Sequence, residues 1–397
     1  MRLGDVIDFN PTEKLEKNTF AKKIGMDKLS PFYKYIDSFE YEKYSGGAKF
    51  RNGDTIVARI TPCLENGKTA YVDLLDDGEI AFGSTEFIVM RNRKNVTIPE
   101  YVYYLSISPK FREKAISLMT GTSGRQRVQL DPLKEEEFDI SSIHDQIKMV
   151  KILSAIDEKI KLNKKINNNL YEFNNKLFEE KILNNAEKDD WEEYLLSDIS
   201  KMINGYSYKG NELVEKSNIG MATIKNFERT GGFKLDGFKD IVPQKCKNDH
   251  YVKPFEILVA CTDLTQNADI IGNAIMLLNN ANYDEIIMSM DLVKLIPITD
   301  IVNNYMLYAI VNSKDFKNFA LRYKSGTTVL HLNKNCFKEY MIKLPNYNTI
   351  KDLSKVFEVN YKKISQIVDE NRKLEQLRDT LLPKLMNGEI DLDNIEI

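Results

Sequence analysis

The chain has 397 residues, too many for one ordinary core, so two or three domains are expected. Apolar residues make up 42% and charged residues 29%, the balance of a globular protein in water, and no run approaches the roughly 18 apolar residues of a membrane span. A formal charge of −3 excludes a histone-like coat on nucleic acid but not a binder whose basic groups share one face.

The N-terminus "MRLGDVIDFN" lacks the apolar core of a signal peptide, and a cytoplasmic location is expected. After "RLGDVIDF" (2–9), the stretch "NPTEKLEKNTFAKK" offers Asn10, Lys14, Lys22 and Lys23 as polar groups at the start of a module. "DTIVARI" (54–60) and "EFIVMR" (86–91) are short Ile- and Val-rich runs bounded by turn residues, and read as strands. "PEYVYYLSISPKFREKAISLM" (99–119) is helical in period and aromatic. It runs into the basic loop "TGTSGRQRVQL" (120–130), in which Gly121 and Gly124 allow close backbone approach. There Thr122 and Ser123 can donate to phosphate, and Arg125, Gln126 and Arg127 can reach base edges. The competing reading is a surface turn whose arginines pair with the acidic run Glu135–Glu137. Next comes a stretch without Pro or Gly, 148–182, in which Ile152, Ile156, Ile160, Ile166, Leu170, Phe173 and Leu177 trace a coiled-coil seam.

The same order then recurs. "LLSDISKM" (195–202) echoes "RLGDVIDF", and "NGYSYKG" (204–210) presents Tyr206, Ser207, Tyr208 and Lys209, a mixture that suits either a groove-contacting loop or a bare exposed one. "FEILVAC" (255–261) and "MDLVKLI" (290–296) read as strands. "TDLTQNAD" (262–269) stands where the first copy has "TPCLENGK", and its Gln266 and Asn267 can read adenine or simply cap a turn. A helical, aromatic stretch (301–323) leads into "SGTTVLHL" (325–332), an echo of the first loop without its basic triplet but with Lys324, Thr327, Thr328 and His331. Setting Leu3 against Leu196 gives an offset of 193, and setting Leu130 against Leu332 gives 202. A final helical stretch, 351–382, keeps a strict alternation of steps through Leu353, Phe357, Asn360, Ile364, Ile367, Asn371, Leu374, Arg378 and Leu381. Its polar members fix register. Pro383 is expected to end or kink this helix.

The expected fold is therefore α+β. Two similar mixed α/β modules are each followed by a long helix, and the two helices pair with each other. Boundaries fall at 1–145 and 185–346 for the modules, with 146–184 and 347–397 for the helices and tail. Some 30 residues at ~1.5 Å each make a rod of about 45 Å. That is slightly more than one turn of DNA, the spacing at which two-headed readers place half-sites.

With "ARITPCLENGK", "GSTEFIV", "TGTSGRQRV" and "LSAIDEKIKLNKKINNNL" in the first half, and "DISKMINGYSYKG", "SGTTVLHLNKNCFKEYMIKLP" and "ENRKLEQLRDTLLPKLMNGEIDL" in the second, the chain resembles a specificity subunit of a Type I restriction-modification system. The likeness covers nearly its whole length. It implies two target-recognition domains, each reading one half of a bipartite double-stranded DNA sequence, and an antiparallel helix pair that sets their spacing. It also implies docking of two methyltransferase subunits, with room for motor-nuclease subunits, in host defence by DNA methylation and restriction. S-adenosylmethionine would sit on the methyltransferase, and this chain would hold no cofactor.

Catalytic tools are missing from the sequence. "ENGKTA" (65–70) has the Gly-Lys-Thr of a phosphate loop, but Pro62 stands where its leading Gly belongs. "FNPT" (9–12) lacks the second Pro and the aromatic of the amino-methyltransferase signature. His144, His250 and His331 occur singly, and the four cysteines are scattered, so neither a metal site, a triad nor a disulfide framework is expected. The competing classes are a self-contained methyltransferase or nuclease, which would methylate or cut DNA unaided, and a coiled-coil scaffold that binds only protein and is indifferent to DNA sequence.

Overall fold

A computed structural model describes residues 1–392, apart from 123, 187–189, 229–230, 264 and 266–267. It divides into two compact units, one of residues 1–163 with 371–397 and one of residues 164–370. Each unit holds one module closed by two helix segments, one from each long helix. The long helices span Ile143–Phe178 and Tyr347–Met386.

In the first unit, strands Ile7–Phe9, Phe87–Asn92, Thr55–Ala58 and Thr69–Tyr71 form an antiparallel sheet in that order. A second sheet runs Glu40–Lys43, Phe20–Ile24, Ala81–Gly83, Ala48–Phe50, with its central pair parallel. The apolar runs are continuous because the first sheet is covered on both faces. Successive residues point to opposite sides. Thus Val57, Ile88 and Met90 pack with the helices, while Ile56, Phe87 and Val89 pack with Phe50 and Ile24 of the second sheet.

The second unit repeats this topology strand for strand. Ser200–Asn204, Leu292–Pro297, Ile257–Ala260 and Ala274–Met276 form the antiparallel sheet. Lys239–Asp240, Ile219–Ala222, Glu285–Met288 and Tyr251–Val252 form the mixed one, again with a parallel central pair. The duplication expected from sequence is therefore present in the hydrogen bonding itself.

Each aromatic helical stretch is two helices rather than one. The first breaks between Pro99–Ile107 and Pro109–Ser117, the second between Asn304–Val311 and Lys314–Leu321. The cause is a capping serine in extended conformation. Ser108 and Ser313 donate Oγ–H to the carbonyls of Leu105 and Ile310 at 2.7 Å, and accept from Phe111 N–H and Phe316 N–H. Pro109 reinforces the first break by disfavouring helical dihedrals at the residue before it.

Within each unit the helix segments run antiparallel, since partner numbers fall on one as they rise on the other. In the first, Asp157 meets Arg378 at 3.0 Å and Asn163 donates to Asn371 at 2.8 Å. In the second, Asn360 donates to Asn174 at 2.6 Å, and the Tyr171 and Tyr361 rings meet at 5.9 Å. The seam of the second helix follows the sequence reading: Leu353, Phe357, Ile364, Ile367, Asn371 and Arg378 are buried. The seam of the first helix follows it only in part. Ile156 and Ile160 are buried, but Phe173 is 51% exposed, and the buried face also includes Leu153, Asp157, Asn163, Asn167, Asn174 and Phe178. Following apolar residues misses a seam whose middle is polar. Pro383 does not end the second helix, which continues to Met386. The position loses one hydrogen bond to Asp379 C=O, on a residue at the solvent-facing side.

Arg378 and Asp157 are each 2% exposed. The Arg378 guanidinium also donates to Phe32 C=O and to Asp379, and Tyr104 Oη donates to Asp157 at 2.7 Å. Removing one partner leaves a buried charge unpaired, so Arg378→Ala is expected to lower stability by about 3–5 kcal/mol. The double change Asp157→Leu with Arg378→Leu is expected to recover most of that loss, and urea denaturation of the three proteins measures both.

Candidate nucleic-acid interface

The central strand of each module does not stop at its sheet. Past Ala58 the backbone pairs with a short hairpin, Met119–Thr120 against Arg127–Val128. Val128 N–H donates to Arg59 C=O at 2.9 Å, Thr61 N–H donates to Gln126 C=O at 3.0 Å, and Ile60 stands opposite Arg127. Past Ala260 the second module does the same. Lys324–Ser325 pairs with Leu330–Leu332, Leu332 N–H donates to Cys261 C=O at 2.9 Å, and Thr262 stands opposite His331.

This register corrects one alignment. It sets Leu332 opposite Val128 rather than Leu130, so His331 is the counterpart of Arg127 and Ser325 of Thr120. The apex after each first strand opens on a glycine in the positive-φ region, Gly121 (+132°) and Gly326 (+101°). A Cβ there would collide with the carbonyl of Arg125 or Val329, so only glycine fits.

The strand–hairpin unit gives each module one buried and one exposed face. Val128 and Leu332 point into the cores. On the other face lie Thr120, Arg127 and Gln129 in the first module, and Ser325, His331 and Asn333 in the second, all exposed. Gln129 donates to Thr120 Oγ1 at 2.6 Å. Arg127 is held by Glu86, Nε lying 2.9 and 3.0 Å from its two carboxylate oxygens and Nη2 2.7 Å from one of them. The acidic run 135–137 is engaged elsewhere, Glu135 by Arg2 and Glu136 by Lys114. Sequence reading therefore missed Glu86, Gln129 and Asn333. The alternation of side chains along "QRVQL" and "LHLN" is the signal that points to the last two.

Beside each hairpin is the loop that follows the central strand, and each is tied down by a cation from the second helix of the pair. Arg112 donates to the carbonyls of Leu64 and Glu65 at 3.1 Å, with its guanidinium 4.7 Å from the Phe32 ring centre. Lys317 donates to Asp269 C=O at 3.0 Å. Burial holds both cations below their ordinary pKa range. In the second module Asp263, fully buried, anchors the loop by accepting from Thr265, Ile270 and Ile271 N–H groups. Gln266 and Asn267 of this loop, like Ser123, lie outside the described residues.

Other candidates separate. Thr122, Arg125, Lys324, Thr327 and Thr328 are exposed on the hairpin apices or strands, and Gln126 is half-buried there with its carbonyl used by Thr61. Lys14, Ser207 and Lys209 are exposed, and Lys23 pairs with Glu42. Tyr208 is half-buried beside Lys239. Asn10 is structural, accepting from Val89 N–H and returning its own N–H to Val89 C=O. Among the described residues, no hydrogen bond joins these N-terminal groups to the hairpins.

Two expectations need correction. Lys22 is 5% exposed with its ammonium held by Glu79 at 2.7 Å and Asp76 at 3.2 Å, so it has no surface to offer a phosphate. Tyr206 is 4% exposed; its hydroxyl donates to Glu212 and accepts from Lys245 N–H. Burial raises its pKa, and the hydrogen bond it gives lowers that of Glu212. Tyr206 is a core residue under the loop, not a contact.

In amino-acid sequence the chain is similar to specificity subunits of Type I restriction enzymes. It is 32% identical to the EcoAI Type I restriction enzyme specificity subunit of Escherichia coli over 149 residues, covering 34% of this chain and 24% of that protein. With the HindI Type I restriction enzyme specificity subunit of Haemophilus influenzae it is 22% identical, across 98% of each chain. A crystal structure of a Type I restriction-modification S subunit from M. genitalium shares the fold, with TM-score 0.51 and 19% identity over 97% of this chain and 95% of that one.

Asp263 supplies a test of the loop anchor. Burial alone would raise its carboxyl, but the hydrogen bonds from Thr265, Ile270 and Ile271 outweigh it and hold the pKa below the ordinary aspartate range. The stabilisation is thus present above that range and lost as pH falls through the depressed folded value. Asp263→Ala is expected to cost about 3 kcal/mol at neutral pH, since each buried N–H left unpaired costs ~1–3 kcal/mol. The gap from the unaltered chain should narrow in acid, as read by denaturation at the two pH values.

The profile described as "Type I restriction modification DNA specificity domain" matches residues 1–172 and again 188–378, the two repeats that the hydrogen bonding defines. On that match the chain belongs to the family of Type I restriction-modification specificity subunits, with the DNA specificity domain present twice.

Proposed function

We propose that this chain selects a bipartite double-stranded DNA target for a methyltransferase, one half-site per domain, without catalysing the reaction itself. The observation that carries the reading is the pair of hairpins. A common frame, locked to the core by the same backbone bonds, presents Thr120, Arg127 and Gln129 in one domain and Ser325, His331 and Asn333 in the other. A shared scaffold with different exposed side chains is what reading two different half-sites requires. Arg and Gln are suited to guanine and adenine edges, while Thr, Ser and Lys suit phosphate. The Gly-opened apices, with Thr122 and Arg125 in one and Thr327 and Thr328 in the other, lie next to these faces.

In this proposal the long helices serve two purposes. They fix the separation of the half-sites, and their outer faces dock two methyltransferase subunits, which bring S-adenosylmethionine and to which motor-nuclease subunits can be added. The complex acts on DNA in the cytoplasm.

Removing one heptad from each helix, 160–166 and 368–374, takes out segments that face each other around the Asn163–Asn371 pair. The expected result is a changed spacer between unchanged half-sites, mapped as modified adenines in the genomic DNA of cells expressing the chain with its methyltransferase. An unaltered spacer would refute the spacing role. Loss of sequence preference altogether would show that the deletion disrupts the fold, and substituting the heptads with equal-length helical sequence then separates length from folding.

A further inference from the structure

We infer that Glu86 is a positioning residue that prepares Arg127 to read a guanine in the first domain's half-site, and that the second domain lacks this device. The inference rests on the DNA-reading role proposed above.

A guanidinium has two edges that can make paired hydrogen bonds. The side edge consists of Nε–H and one Nη2–H; the end edge consists of the other Nη2–H and an Nη1–H. Glu86 occupies the side edge of Arg127, through Nε and Nη2. Among the described residues the end edge has no hydrogen-bond partner. That free edge can pair with O6 and N7 of guanine in the major groove, the commonest specific contact of arginine. An acid on the side edge therefore does not compete with the base. It fixes the plane and direction of a side chain that otherwise loses much rotamer freedom on binding.

The acid is itself fixed. Glu86 C=O accepts from Arg59 N–H at 2.9 Å, and Arg59 C=O accepts from Val128 N–H at 2.9 Å. One residue of the central strand extension thus aligns both the buttress and the reader. Arg127 keeps 45% of its side-chain surface exposed and Glu86 only 22%, so the acid lies behind the cation. In the second domain the same backbone pattern recurs, with Asp291 C=O accepting from Cys261 N–H at 2.8 Å. The reader there is His331. An imidazole cannot offer two parallel donors to one base, so the second half-site is read by a different chemistry.

The test uses the full chain, alone and together with its methyltransferase, selecting bound duplexes from a randomised DNA pool. The unaltered chain is expected to enrich a bipartite sequence with a guanine at one position of one half-site. Glu86→Ala and Arg127→Lys should each relax that position by about tenfold or more, in line with a bidentate base contact. The other half-site should be unchanged. Glu86→Gln, which keeps one acceptor, should retain part of the preference. If Glu86→Ala leaves the preferred bases as they were, or weakens both half-sites equally, Glu86 is not a positioning residue and the inference fails while the DNA-reading role stands. If the unaltered chain enriches no sequence with or without the methyltransferase, the DNA-reading role itself is wrong and the inference falls with it.

Discussion

The site depends on a strand that is buried on both faces and then leaves its sheet. Within the sheet, residues 55–58 and 257–260 are surrounded by core and can carry nothing but packing. Their continuation to 61 and 263 keeps backbone pairing, to a hairpin on one side and, at its first residue, to Glu86 or Asp291 on the other. Because pairing is periodic, every exposed side chain of the hairpin is registered to the core, and a slip of one residue would turn the face inside out. Val128 and Leu332 prevent that slip, since each would have to leave the core.

This arrangement explains how one architecture presents two different sets of exposed side chains. The parts that recur are those with a packing or hydrogen-bonding duty: the capping serines Ser108 and Ser313, the cations Arg112 and Lys317 on the loop carbonyls, and the glycines at the apices. The parts that differ are those facing outward. Arg127 has become His331, and Gln129 has become Asn333, without disturbing any backbone bond.

Much of this was legible in the sequence, for reasons that can be named. The duplication showed because core strands tolerate few residue types, so "DTIVARI" and "FEILVAC" still resemble each other. The second helix was traced through its polar positions because Asn360, Asn371 and Arg378 sit in an otherwise regular seam. The first helix was not, because Asn163, Asn167 and Asn174 are buried by partners far away in sequence while Phe173 faces outward. Lys22 and Tyr206 failed for a related reason. Ionisable and hydroxyl groups read as surface by residue type, and only the fold supplies the Glu79 and Glu212 that hold them in the interior. Register was the least legible property of all, since the Ser, Gly and Leu that line up "SGTTVLHL" with "SGRQRVQL" lie two or three residues away from the pairing that the hydrogen bonds set.

The helix pair carries a final asymmetry. Arg378 on the second helix answers Asp157 on the first, whereas in the other unit Asn174 takes the place of the arginine and Tyr361 that of the aspartate. A chain assembled from two copies of the first half would set Asp157 against Asn174, burying a carboxylate with no cation. One assembled from two second halves would set Arg378 against Tyr361, leaving only the exposed carboxylate of Asp379 beside it. The helix of each half is therefore matched to that of the other, because the buried Asp157 needs the cation that only Arg378 supplies. The two modules share one frame, but the two helices are not interchangeable in how they are joined.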